Sequence, residues 1–268
     1  MRPYGLPQVD GTGGFSKRGD GVIHCLLLDT ADGIGLVDTG WGMLDCTHPS
    51  PAVRQFANFV HSALLPEETA IHQLATLGYS PADVRHVFLT HLHMDHAGGL
   101  PDFPEAIVHA STPEIDAYLH PRSLIEWRAY RPEHALHGPR WQAHVPRGFQ
   151  WFGLEASPPF QIGDTEIVFV PFPGHTRGHC AVAVRLGDRW LLHCGDTYGY
   201  YRQADPAQPY VHPCGSLMEA AITVGFKMPR RHWVALRQLR EAHSHSISLL
   251  CAHDASEFEA ARESSGAA

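Results

Sequence analysis

The sequence predicts a mixed α/β fold in one domain, on three observations. Apolar, β-branched runs of strand length give way to stretches with helical spacing, and this strands-then-helices order occurs twice along the 268 residues. Strict alternation of strand and helix is absent, as is a glycine-rich dinucleotide turn, which argues against a doubly wound sheet. Apolar residues make up 44% of the chain, enough for one sizeable core spanning 1–268.

Taken in order, residues 10–21 are glycine-rich and read as a loop. Residues 22–28 and 34–37 read as two strands of a hairpin, with Asp38 at the end of the second. Pro51 and Pro66 introduce two helices, 52–65 and 67–77, the second closed by Gly78. Their aromatic and leucine positions, Phe56, Phe59 and Leu74, are expected core. A strand follows from Val84, another spans 106–110, and a helix capped by Ser111 or Thr112 spans 112–120.

Residues 121–159 differ in kind. Trp127, Tyr130, Trp141, Phe149, Trp151 and Phe152 mix with five arginines and frequent proline, and periodicity is weak. This aromatic-rich insertion is expected to form a lid or pocket wall, because binding residues concentrate on loops carried by a rigid scaffold. Strands at 165–170, 181–186 and 190–194 come next, then helices at 216–226 and 231–242, a strand at 247–252 and a closing helix near 255–262.

The strand from Val84 runs into Thr90-His91-Leu92-His93-Met94-Asp95-His96-Ala97-Gly98-Gly99. In extended backbone, residues i and i+2 face the same way, so His91 and His93 can bind one cation while Leu92 and Met94 turn into apolar surroundings. Asp95 and His96 lie where the chain should turn and are free to face a second cation. The chain holds 21 His, so some clustering is expected, but four donors within six residues at a strand end are hard to dismiss as core residues.

This stretch resembles the THxHxDHxGG signature of the metallo-β-lactamase superfamily. The resemblance implies an αββα sandwich, two mixed β-sheets face to face with helices outside. It also implies a ligand set: His91, His93 and His175 at one metal position, Asp95, His96 and His253 at the second, and Asp196 bridging both. His175 stands in Pro173-Gly174-His175-Thr176-Arg177-Gly178-His179, and Asp196 in Gly195-Asp196. Asp38 is read either as a turn residue or as a support for the metal ligands, and His179 as a support rather than a ligand.

Nitrogen and oxygen donors suit two Zn²⁺ ions, with Fe or Mn also accepted by such a set. The implied chemistry is hydrolysis by metal-activated water, with Asp95 and Asp196 as the catalytic carboxylates. Tyr198, with Tyr200 and Tyr201 in competition, is the expected substrate hydrogen-bond donor. A lactone or carboxylic ester is the expected substrate, as in acyl-homoserine lactonases. Glyoxalase II-type thioesterase and phosphotriesterase activities are alternatives within the class; a mononuclear iron sulfur dioxygenase and a non-catalytic metal-holding protein are alternatives outside it.

A net charge of −8 and a pI near 6.2 give no basic footprint for nucleic acid or anionic membranes, and no apolar run reaches membrane-spanning length. A small-molecule substrate fits this balance. The N-terminus lacks a charged-then-apolar signal region, so a cytoplasmic location is expected. Six cysteines without CxxC spacing read as small buried hydrophobes. The oligomeric state is left open, a homodimer among the options.

Overall fold

Strand β1 (Leu26–Thr30) opens a five-stranded sheet with β2 (Gly33–Val37), β3 (Val84–Phe88), β4 (Ile107–Ser111) and β5 (Arg140–His144), in that spatial order. The β1–β2 pair is antiparallel and the other three pairings are parallel. A second five-stranded sheet runs β12 (Ile247–Leu250), β11 (Arg189–His193), β10 (Cys180–Leu186), β9 (Thr165–Pro171), β8 (Phe160–Ile162). Here only β11 and β12 are parallel. A small hairpin, β6 (Phe149–Trp151) with β7 (Leu154–Ala156), pairs only within itself and packs against the second sheet through Trp151 and Ala156. The computed structural model describes residues 20–211 and 229–264.

Period-two alternation builds the layers. In β9 and β10, Ile167, Phe169, Val182 and Val184 face the first sheet and meet Leu28, Val37 and Phe88. The intervening Val168, Val170, Ala181 and Ala183 face outward under helix α7 (Arg230–His243), through Trp233, Leu236 and Leu239. The outer face of the first sheet, with Leu36, Val87, Leu89 and Val108, lies beneath α3 (Ala70–Thr76) and α5 (Thr112–Leu119). The order is helix, sheet, sheet, helix, as the resemblance implied.

Several boundaries depart from expectation. Residues 22–25 are not part of β1; they run beside residues 252–253, where the His24 amide donates to the Ala252 carbonyl. Helix α2 (Pro51–Val60) stops at His61, which adopts a left-handed φ of 51°. The following helix is split by Thr69, whose extended backbone separates a short 3₁₀ turn from α3. Short helices α1 (Met43–Thr47) and α6 (Leu124–Ala129) and strand β5 were not anticipated. The β5 residues Arg-Trp-Gln-Ala-His form an edge strand, mostly exposed, and so carry almost no apolar alternation. The expected helix at 216–226 lies outside the described residues.

The insertion is therefore not one unit. Trp141 sits on β5, Trp151 is buried edge-to-face against Trp190, and Trp127 is 61% exposed. All five cysteines described are free thiols, and burial pushes Cys180 and Cys194 far above the ordinary thiol range. No described helix is long and apolar enough to cross a membrane.

Candidate metal centre

All seven expected donors converge on one edge of the sandwich. The segment after β3 carries His91 and His93, and a one-turn helix, α4 (Met94–Ala97), carries Asp95 and His96. The β9–β10 loop brings His175, the turn after β11 brings Asp196, and the end of β12 brings His253. Single donor atoms of His91, His93 and His175 lie within 4.8 Å of one another, as do those of His91, His96 and Asp196, and those of Asp95, His96 and His253.

Asp196 divides its oxygens between the two groups. Oδ2 is 3.1 Å from His175 Nε2, whereas Oδ1 is 3.2 Å from His96 Nε2 and 3.1 Å from His253 Nε2. Asp95 approaches only the second group, 3.8 Å from His253 Nε2 and 4.0 Å from His96 Nε2.

The donors also fit a cation by what they leave unsatisfied. His91 Nε2, His93 Nε2, His96 Nε2 and Asp196 Oδ1 are buried without a hydrogen-bond partner. His96 Nε2 and Asp196 Oδ1 are close yet misaligned for a hydrogen bond, so both point into shared space. Buried polar atoms in proteins are as a rule paired; other unpaired atoms in this chain, such as Trp41 Nε1 and Trp151 Nε1, lie scattered, whereas these four share one space that a metal ion would satisfy.

The backs of the rings are fixed by other groups, which orients the free nitrogens. His96 Nδ1 lies 2.8 Å from Asp38 Oδ2, and the same carboxylate accepts from the amide and hydroxyl of Thr90, each at 2.8 Å. Asp38 is thus a support, held at φ 56° where aspartate is among the better-tolerated side chains. His253 Nδ1 donates to the Val22 carbonyl at 2.8 Å. His179 supports the Asp196 turn, its Nε2 accepting the Asp196 amide at 3.0 Å. Gly195, at φ 50°, leaves no room for a Cβ between Thr90 and His179, which lets the Asp196 turn sit this low.

Electrostatics sort the imidazoles. Burial, then neighbouring imidazoles, holds His91 and His93 well below the ordinary histidine range, leaving neutral rings with lone pairs to donate. Burial opposes protonation of His96 and His253 too, but nearby carboxylates, Asp196 first, hold both above that range. A cation bound there takes the place of those protons, so binding releases protons and weakens as pH falls.

Tyr198 is the correction. Its side chain is buried and its hydroxyl donates to the Glu257 carboxylate at 3.0 and 3.1 Å, inside the core beneath the second sheet. That bond engages the hydroxyl expected to donate to a substrate. Two groups went unread in the sequence: His193, whose Nδ1 accepts the Gly195 amide at 3.3 Å, and Glu114, whose carboxylate accepts the Leu92 amide at 2.9 Å.

Fold and donor set together define a two-sheet α/β protein with a cation-holding edge. The chain belongs to the metallo-beta-lactamase superfamily, whose family model matches residues 18–221. It is 39% identical over 242 residues to a "probable metallo-hydrolase" of Mycobacterium tuberculosis, covering 90% of this chain and 77% of that one. It is 26% identical over 160 residues to the N-acyl homoserine lactonase AttM of Rhizobium johnstonii, covering 60% of this chain and 58% of the relative. Among solved structures, a Bacillus thuringiensis AiiA variant with N-decanoyl-L-homoserine bound superposes with a TM-score of 0.66. That match has 18% identity and covers 97% of this chain and 91% of that one, a likeness of fold.

Proposed function

We propose that this metallo-hydrolase cleaves a lactone or carboxylic ester bond of a small molecule, using two divalent cations, zinc in the first place. The observation that carries the dinuclear reading is the division of Asp196, one oxygen toward His175 and the other toward His96 and His253. His91, His93 and His175 would hold one ion, Asp95, His96 and His253 the other, and Asp196 both. When bound, the ions supply Lewis acidity for the substrate carbonyl and bring the pKa of water toward neutrality.

The chain's own groups do the rest. Asp95, beside His96 and His253 but bonded to neither, would orient the attacking water and pass its proton to the leaving oxygen. The supports on Asp38, Thr90 and Val22 keep the donors from rotating during that transfer. Lactone specificity is supported by the likeness to acyl-homoserine lactonases.

The test is metal content by elemental analysis, paired with hydrolysis of an acyl-homoserine lactone and of a thioester. About two zinc ions per chain with lactone turnover is the expected result. Faster thioester turnover moves the substrate to the glyoxalase II type, and one iron with no hydrolysis removes the hydrolytic reading.

A further inference from the structure

Glu114 has a fully buried side chain and stands in the first turn of α5. Four donors converge on its carboxylate, two on each oxygen. Oε1 accepts the Leu92 amide at 2.9 Å and the Tyr130 hydroxyl at 3.1 Å. Oε2 accepts the Thr176 hydroxyl at 2.7 Å and the Gly178 amide at 3.0 Å. Leu92 lies between His91 and His93 on the first sheet's loop, while Thr176 and Gly178 follow His175 on the second sheet's loop. One carboxylate therefore ties together the two loops that supply the first group of imidazoles.

The contact is close-built. A Cβ on Gly178 would come within 2.0 Å of the Glu114 amide nitrogen, and Ser111 Oγ donates to the Gly178 carbonyl at 2.5 Å while accepting the Glu114 amide. The helix end and the His175 loop thus dock backbone to backbone. Only an ionised carboxylate offers acceptors to all four donors. A glutamine would turn an N–H group toward two of them, leaving buried donors unpaired.

We propose that Glu114 is a positioning residue that sets the spacing of His91, His93 and His175, and so the affinity of the first metal position relative to the second. This rests on the two-cation reading above. The test is competition with a chromophoric chelator, using Zn²⁺ alone as the probe, on wild type and Glu114→Gln, with melting temperatures and the visible spectra of Co²⁺-loaded protein recorded alongside. The wild type is expected to bind two ions. In Glu114→Gln, one should weaken by about tenfold or more, the scale seen when groups that orient ligands are removed. The Co²⁺ spectrum should change for that ion and not for the other.

A lowered melting temperature with both affinities and the spectrum unchanged overturns the proposal. If Glu114→Gln does not fold, Thr176→Val decides: it removes one of the two holds on the His175 loop and should produce a smaller loss at the same position, and no loss overturns the proposal. A wild type that binds fewer than two ions instead fails the dinuclear reading, and the two failures are told apart by the wild-type curve.

Discussion

The two sheets serve the same edge in opposite ways. The first contributes four donors from six consecutive residues, His91 to His96, so its share of the site is local in the chain. The second contributes three donors from three separate strand ends, with Asp196 and His253 held by hydrogen bonds to groups outside the donor set. A local cluster tolerates distortion elsewhere in the fold; a distributed one records whether the whole sheet is in register. The interiors differ as well. On the face it turns to the second sheet, the first sheet carries a hydrogen-bonded chain of His86, His109 and His144, beside Phe88. The opposing strands present valine, isoleucine and phenylalanine.

The largest expected effect tests the distributed half. Asp196→Ala should weaken both metal positions by more than about 100-fold, beyond the range for groups that only orient ligands, and abolish hydrolysis with them. Replacing His93 in the local half should deplete one position only. Elemental analysis of the two variants checks the contrast, and an Asp196→Ala protein that keeps both ions breaks it.

The next effect reads the interior difference. Burial, then His144 and His86, lowers the His109 pKa to about 3, and burial lowers His144 to about 4. A folded-state value below the unfolded value near 6.5 means that His109 favours folding fully above pH 6.5 and loses that contribution as pH falls toward 3. At pH 5 the loss from His109 alone is about 2 kcal/mol. Denaturant unfolding at pH 7.5 and pH 5 should show this loss, and His109→Phe should reduce it. Equal acid sensitivity in both proteins would place the effect elsewhere.

The smallest concerns Tyr198. Removing its hydroxyl leaves Glu257 still paired with Arg240 and the Cys251 amide, so Tyr198→Phe should cost about 1 kcal/mol of stability and leave kcat unchanged. A tenfold fall in kcat would return Tyr198 to the site.

The same contrast explains what could be read from residues alone. The His91–His96 cluster is legible because its donors are neighbours and a strand pattern precedes them. His175, Asp196 and His253 were found through the resemblance, and only the fold brings them together. Glu114 was hidden because Ser111-Thr112-Pro113-Glu114 reads as a capping box, in which the glutamate would bond back to its own helix start. The structure keeps the serine cap and sends the glutamate across to two other loops. Tyr198 misled because spacing after Asp196 does not say to which side of a turn the ring falls, and burial with Glu257 decided it. Strand β5 was lost for want of apolar alternation on an exposed edge.

One feature of the sandwich bears on how the protein is made. Residues 21–24 clasp residues 252–254, through the Gly21–Asp254 bridge and the backbone bonds of Val22 and His24. His253 is thereby held by the first described residues and delivered by the last strand. During synthesis the four-donor loop leaves the ribosome some 150 residues before His253 does, and a cation meeting that loop finds an incomplete, weak site. A cation at the position that uses His253 would thus be held firmly only once residues 21–24 and the strand end carrying His253 have met, so occupancy there would report that this part of the sandwich has closed.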